Sequence, residues 1–202
     1  MFTGLIETTG RVDALRVSAE GGHLRVATTL GGELAAGDSI AVNGVCLTAI
    51  DPHVEGFSAD ISPATLAATT LGSLTAGRLV NLERPVRADA RMGGHFVLGH
   101  VDATGRIADM REDGEAWRLV VDSPGQLEPL VIPKGSIAID GISLTIAALE
   151  PRRLILQIIP FTRAHTTLAQ AEAGDGVNLE ADVLGKYVLR AVELGLHAVP
   201  QR

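Results

Sequence analysis

The chain has one cysteine among 202 residues, so no intrachain disulfide can form. That fits a reducing setting, and a cytoplasmic location is expected. No run reaches the roughly 18 apolar residues that cross a bilayer, so no membrane partner is expected. The N-terminus lacks the basic region and apolar stretch of a secretory leader. Basic residues are scarce: 17 Lys and Arg stand against 24 Asp and Glu, a net charge of −7. This argues against a nucleic-acid partner, which would need a basic face. One cysteine and scattered histidines offer no metal spacing. Neither a G-x-G-x-x-G nor a P-loop pattern is present. Apolar residues are plentiful at 46%, so the chain is globular rather than disordered.

What the chain does contain is a repeat. Residues 37–48 and 134–145 lie 97 positions apart and are identical at six of twelve places. The same offset pairs Thr65 with Thr162, Thr69-Thr70-Leu71 with Thr166-Thr167-Leu168, and Val80-Asn81-Leu82-Glu83 with Val177-Asn178-Leu179-Glu180. Two units of this size mean two copies of one small domain, each large enough for its own core. Two like domains can offer two like pockets, which suits a substrate used as two copies of one molecule.

Short runs rich in Val, Ile, Leu and Thr alternate with Gly, Pro, Asp and Asn, the pattern of strands in a small barrel. In the first copy these are 10–12, 23–28, 39–42, 57–61 and 79–83; in the second, 105–107, 117–121, 136–139, 154–159 and 176–180. Asn43-Gly44 and Asp140-Gly141 are hairpin-turn signals, because both residue types tolerate positive φ. Helical hints lie at 64–71 and 161–171. The expected domains are 1–92 and 93–183, with a C-terminal helix over 184–202. In that tail Leu184, Val188, Ala191, Val192 and Gly195 recur at three- and four-residue steps. Such a stripe must be buried, on its own barrel or on copies of itself.

Several residues could carry chemistry. A lone cysteine is commonly a small apolar filler, but Cys46 takes the place of Ser143 within the best-matched stretch, and a thiolate is a nucleophile. His100 takes the place of Leu5, and His95 lies near the junction; imidazole moves protons near neutral pH. The remaining histidines, His23, His53, His165 and His197, show no motif and are read as structural. Lys134, one of two lysines against fifteen arginines, heads the second repeated motif as a compact charge. Ser39, Ser136, Thr48 and Thr145 recur at matched positions, as β-formers or as a polar pocket rim. Asp182 either caps the tail helix or faces a neighbouring subunit.

Four motifs in order then carry a resemblance over the full length. Met1-Phe2-Thr3-Gly4-Leu5-Ile6-Glu7, Asn43-Gly44-Val45-Cys46-Leu47-Thr48, the junction 93–102 from Gly93-Gly94-His95 through Gly99-His100-Val101-Asp102, and Asp140-Gly141-Ile142-Ser143-Leu144-Thr145 resemble the riboflavin synthase family of the alpha-chain type. The resemblance implies an all-β chain of two tandem six-stranded Greek-key barrels with short helices and a C-terminal α-helix. It implies a homotrimer tied by those helices, with lumazine synthase as a further partner. The implied reaction is a dismutation of two 6,7-dimethyl-8-ribityllumazine molecules to riboflavin and 5-amino-6-(ribitylamino)uracil, without metal or redox cofactor. The site would lie between the N-terminal barrel of one subunit and the C-terminal barrel of its neighbour.

By the resemblance, Phe2, Ser39, Cys46, His100 and Asp182 belong to the chemistry, with Phe2 packed on a ring. The first pocket would draw on Gly4, Leu5, Ile6, Cys46, Leu47, Thr48 and the run Asp60, Ile61, Ser62, Pro63, Ala64, Thr65. The second would draw on Gly99, His100, Val101, Lys134, Ser143, Leu144, Thr145 and the run Ile159, Pro160, Phe161, Thr162, Arg163, Ala164. Three residues depart from the family pattern: Ala64 where Glu is common, and Phe161 and Arg163 where polar and apolar residues are usual. A competing expectation is a non-catalytic lumazine- or flavin-binding protein of the same fold. A flavin-binding barrel of a reductase would need a nucleotide-binding partner domain, for which 202 residues leave no room.

Overall fold

The computed structural model describes residues 1–195. The part of the expected tail helix that falls on 196–202, with His197, lies outside the described residues.

The first barrel is built from β1 (Thr8–Ser18), β2 (Gly21–Ala27), β3 (Ser39–Val42), β4 (Val45–Thr48), β5 (Ile50–His53), β6 (Gly56–Ile61) and β7 (Leu79–Glu83), with the short helix α1 (Pro63–Ala68) between β6 and β7. Its sheet order is β4-β3-β7-β1-β2-β6-β5. β4 and β5 are two halves of one strand, parted at Ala49. There the chain bends to exchange bonds with the preceding turn, Ala49 N to Asp38 O at 2.8 Å and Gly37 N to Ala49 O at 2.9 Å. The second barrel repeats the course with β8 (Ala103–Asp113), β9 (Ala116–Asp122), β10 (Ser136–Ile139), β11 (Ile142–Glu150), β12 (Arg153–Ile158), α2 (Pro160–Ala164) and β13 (Gly176–Ala181). Here the equivalent strand β11 is unbroken, absorbs the same bend as a bulge between Ile146 and Ala148, and the barrel closes in the order β10-β11-β12-β9-β8-β13. The fold is therefore mostly β, with one closed and one nearly closed Greek-key barrel.

Alternation along the strands decides which side chains reach the site. In β3 and β4, Ile40, Val42, Val45 and Leu47 point into the first core. Ser39, Ala41, Cys46 and Thr48 therefore face out of the barrel, with Ala41 covered by the other half, and Ser39 pairs with Thr48 and Ala41 with Cys46. β10 and β11 repeat this with Ser136–Thr145 and Ala138–Ser143.

Both predicted hairpin turns form, with φ of 45° and 73° at Asn43 and Gly44 and 46° and 79° at Asp140 and Gly141. They meet tip to tip. A Cβ on Gly44 would stand 2.5 Å from the nitrogen of Gly141, so only glycine fits. Reciprocal bonds then tie the barrels about a local two-fold axis. Asn81 Nδ2 donates to Asp140 O and Asn178 Nδ2 to Asn43 O, each at 2.9 Å. Thr70 N donates to Asn178 Oδ1 and Thr167 N to Asn81 Oδ1, each at 2.8 Å. Buried amides with their partners supplied specify one arrangement, because mispairing leaves them unsatisfied.

The tail helix α3 spans Val183–Glu193. Asp182 caps it, Oδ1 accepting from Leu184 N at 3.0 Å. Gly185 lets the helix lie close on the second barrel, where an added Cβ would come within 2.9 Å of Leu130 O. Of the expected apolar stripe, Leu184, Val188 and Val192 are exposed and Ala191 is half-buried, and Tyr187 beside them is 73% exposed.

Candidate functional site

The outer face of each barrel is crossed by the segment that leads into the other barrel, which sets out two half-sites. The first half-site has the start of β4 (Cys46, Leu47, Thr48) beside the end of β6 and α1 (Asp60 to Thr65). The chain wall there is Gly99-His100-Val101. Cys46 N donates to Gly99 O at 2.9 Å, and a Cβ on Gly99 would lie 2.6 Å from Cys46 Cβ. Val101 packs into the first core. The second half-site mirrors this. Ser143 N donates to Gly4 O at 2.8 Å, a Cβ on Gly4 would lie 2.6 Å from Ser143 Cβ, and Ile6 packs against the second core. Repeat arithmetic put Gly4, Leu5 and Ile6 with Cys46, and Gly99, His100 and Val101 with Ser143. The structure corrects this grouping, because the segment leading into each barrel crosses to the opposite one.

Two buried carboxylates hold the crossed segments. Glu83 accepts from Thr3 N, Thr3 Oγ1 and Gly4 N at 2.6, 2.7 and 3.0 Å. Glu180 accepts from Leu98 N, Gly99 N and His100 N at 2.7, 3.0 and 3.1 Å. Burial raises the pKa of both, although the donated bonds pull the other way. Sequence reasoning assigned neither residue a role. The signal was available: a Glu kept at the same place in the repeated Val-Asn-Leu-Glu of two matching strands.

The crossing gives each groove one imidazole and one thiol or hydroxyl. His100, exposed, follows Gly99 on the segment that crosses Cys46, which is half-buried. His95, read from sequence only as a junction residue, is buried, and its Nδ1 lies 2.7 Å from Ser143 Oγ. His95 N is fixed by Thr3 O at 3.1 Å. Burial lowers the His95 pKa, only partly offset by Asp182, so the ring is held neutral and can accept a proton.

The other expected residues fall as follows. Ser39 is half-buried on the outer surface opposite Thr48, on the first groove's floor. Lys134 is exposed at the head of β10 with φ of 65°, a conformation its counterpart Gly37 adopts freely. Asp60 pairs with His23 at 2.7 Å. Ser62 caps α1 by accepting from Thr65 N at 3.1 Å. Ile61 is buried in the first core, while Pro63 and Ala64 are exposed. Leu144 faces the second core and Thr145 faces out. Ile159, Pro160 and Phe161 are exposed and Thr162 and Arg163 half-buried, with Ala164 exposed at the end of α2. Phe2 is the one expectation replaced outright. It is 0% exposed, packed between the barrels with Ala41, Val97 and Ala138, so no face of it is open to a ring. Its backbone pairs with Val97 and joins the two crossed segments. Among the described residues no cluster of metal-ligating side chains occurs, and no helix is long and apolar enough to cross a membrane.

A duplicated barrel whose halves are each crossed by the segment leading into the other defines the class. Residues 3–85 and 98–182 each match the family described as the lumazine binding domain. The chain is 40% identical over 191 residues to a riboflavin synthase of Bacillus subtilis (strain 168), covering 94% of this chain and 89% of that one. It is 43% identical over 196 residues to a riboflavin synthase of Mycobacterium tuberculosis (strain H37Rv), with 94% and 97% covered. A crystal structure of LumP complexed with riboflavin superposes with a TM-score of 0.83 at 21% identity, covering 90% of this chain and 99% of that one, which shows the shared fold. The chain belongs to the riboflavin synthase family.

Proposed function

We propose that the chain is a riboflavin synthase that dismutates two 6,7-dimethyl-8-ribityllumazine molecules, giving riboflavin and 5-amino-6-(ribitylamino)uracil. The observation that carries this is the pair of crossed grooves, alike in backbone and unlike in side chains. Each can present backbone N–H and C=O groups to the edge of one heterocycle. Each adds a different pair, Cys46 with His100 or Ser143 with His95. The reaction needs such inequality, since one lumazine gives a four-carbon unit and the other takes it. The C7 methyl of lumazine is acidic because its anion delocalises over the ring. A neutral His95 accepting through Ser143 suits that proton transfer, and Cys46, His100 and Ser39 serve activation at the other ring.

The inter-barrel cleft, of about 230 Å³ and lined by Asn43, Arg78, Asp140 and Asp175, holds none of these residues. A neighbouring subunit therefore completes the site. The first groove of one subunit faces the second groove of the next in a homotrimer, and the exposed face of α3 supplies the contact between subunits. Two substrates held face to face are spared most of the entropy cost of encounter, up to about 7–11 kcal/mol in favourable cases. The test is to incubate pure protein with 6,7-dimethyl-8-ribityllumazine alone and follow riboflavin by absorbance. Riboflavin formation supports the reading. Tight binding without turnover would make the chain a lumazine- or flavin-binding protein instead.

A further inference from the structure

The two helices that border the grooves are anchored differently. α1 is capped by Ser62 and rests on Gly22, where the Leu66 side chain comes within 3.3 Å of the position of an added Cβ. The equivalent cap of α2 is Ile159, which has no oxygen to offer and makes no side-chain cap bond. In place of Gly22 the second barrel has Trp117, and in place of Leu66 it has Arg163. The register is the same: Gly22 pairs with Ile61 as Trp117 pairs with Ile158, the residue before the cap. Arg163 Cζ lies 3.7 Å from the centroid of the Trp117 ring. The guanidinium is held by that ring rather than by acceptors, since Nε is buried without a partner and Nη2 reaches only Ala169 O at 3.5 Å. One turn away the Phe161 and His165 rings stack at 4.0 Å, where α1 has Ala64 and Ala68.

We propose that Arg163 over Trp117 is a clamp that replaces the missing cap and positions α2, and with it Ile159 and Phe161, at the mouth of the second groove. Arg163 is thus a positioning residue whose loss weakens the second half-site alone. The first half-site is held by Ser62 and does not depend on it. This rests on the reading of two heterocycle half-sites, and it accounts for two residues that depart from the family pattern.

The test is calorimetric titration of the intact protein with riboflavin, the product of the proposed reaction, alongside steady-state kinetics with 6,7-dimethyl-8-ribityllumazine. Arg163→Leu, which installs the first barrel's residue, should weaken one class of riboflavin site by about three- to tenfold and leave the other unchanged. KM should rise by a similar factor with kcat within about twofold. Trp117→Leu should match it, the double variant should lose no more than either single one, and Trp117→Phe, which keeps a ring under the cation, should stay near the wild type. Trp117 is the only tryptophan, so its emission reports whether the clamp is made. Unchanged affinity in both classes, or equal loss in both, would overturn the proposal. Should Arg163→Leu fail to fold, the contrast between Trp117→Phe and Trp117→Leu decides on the same terms. A wild type that binds no riboflavin would overturn the functional reading beneath it instead.

Discussion

Asp140 occupies the turn position that Asn43 holds in the first barrel, and it is only 9% exposed. Its Oδ1 accepts from Asn178 N at 2.8 Å, as Asn43 Oδ1 accepts from Asn81 N at 2.7 Å. Burial pushes its pKa up to about 7, against smaller effects of the Asn178 bond and the Arg78 charge and with a small push from the like charge of Asp175. The raised value means that the folded state holds a proton that the unfolded chain has released. The Asp140 contribution to stability is therefore fully present below the unfolded pKa, is lost as pH rises from about 4 to 7, and is level above. Asp140→Asn should make the slope shallower, leaving the shares of Glu83 and Glu180, and stabilise the protein at pH 8, by at most about 4 kcal/mol. Denaturant melts at pH 4.5 and 8 check this; an unchanged slope would refute it. At the second groove, His95→Gln keeps a polar side chain beside Ser143 but removes the base. It should lower kcat by about 10²-fold, with the melting temperature largely kept. Wild-type turnover would remove His95 from the chemistry.

The elements most plainly legible in the sequence were those set by local chemistry. Asn-Gly and Asp-Gly marked both turns because φ is a property of single residues. Alternation marked the strands, and the three- and four-residue steps marked α3 as far as Glu193. The crossed segments were not legible. Whether Gly4 meets Cys46 or Ser143 depends on the path of the chain between barrels, and the repeat makes both pairings look equally good. Phe2 was expected to pack on a ring by the resemblance alone, and its burial between the barrels gives it another task. The repeated Val-Asn-Leu-Glu was visible, but not that its Asn bridges the axis and its Glu grips a crossed segment. The crossing makes a prediction of its own. Gly4→Ala meets both a φ of 77° and the Ser143 side chain. It should cost on the order of 2–4 kcal/mol and weaken the second groove. Gly77→Ala, with φ of 89° and nothing within 4 Å, should cost only about 1 kcal/mol. Denaturation midpoints for the two variants give the comparison; equal costs would show that the close approach to Ser143 carries no weight.

At the scale of the whole molecule, one chain places its two half-sites on separate barrels. The exposed apolar face of α3 is the surface that the proposed trimer would cover. Tyr187→Glu with Val188→Glu should give folded monomers by light scattering and remove turnover, since no groove would meet its complement. A trimer that persists would take α3 out of the interface. The shared site itself is tested most directly by mixing subunits. One variant carries Cys46→Ala and His100→Ala, which disables the first groove, and the other carries Ser143→Ala and His95→Ala, which disables the second. Each alone should be close to inactive. Unfolded and refolded together in equal amounts, they should recover activity, about a quarter of wild type for random assembly, because some interfaces then join two intact grooves from different chains. A mixture no more active than its parts, with mixed trimers shown by mass, would contradict a site built between subunits.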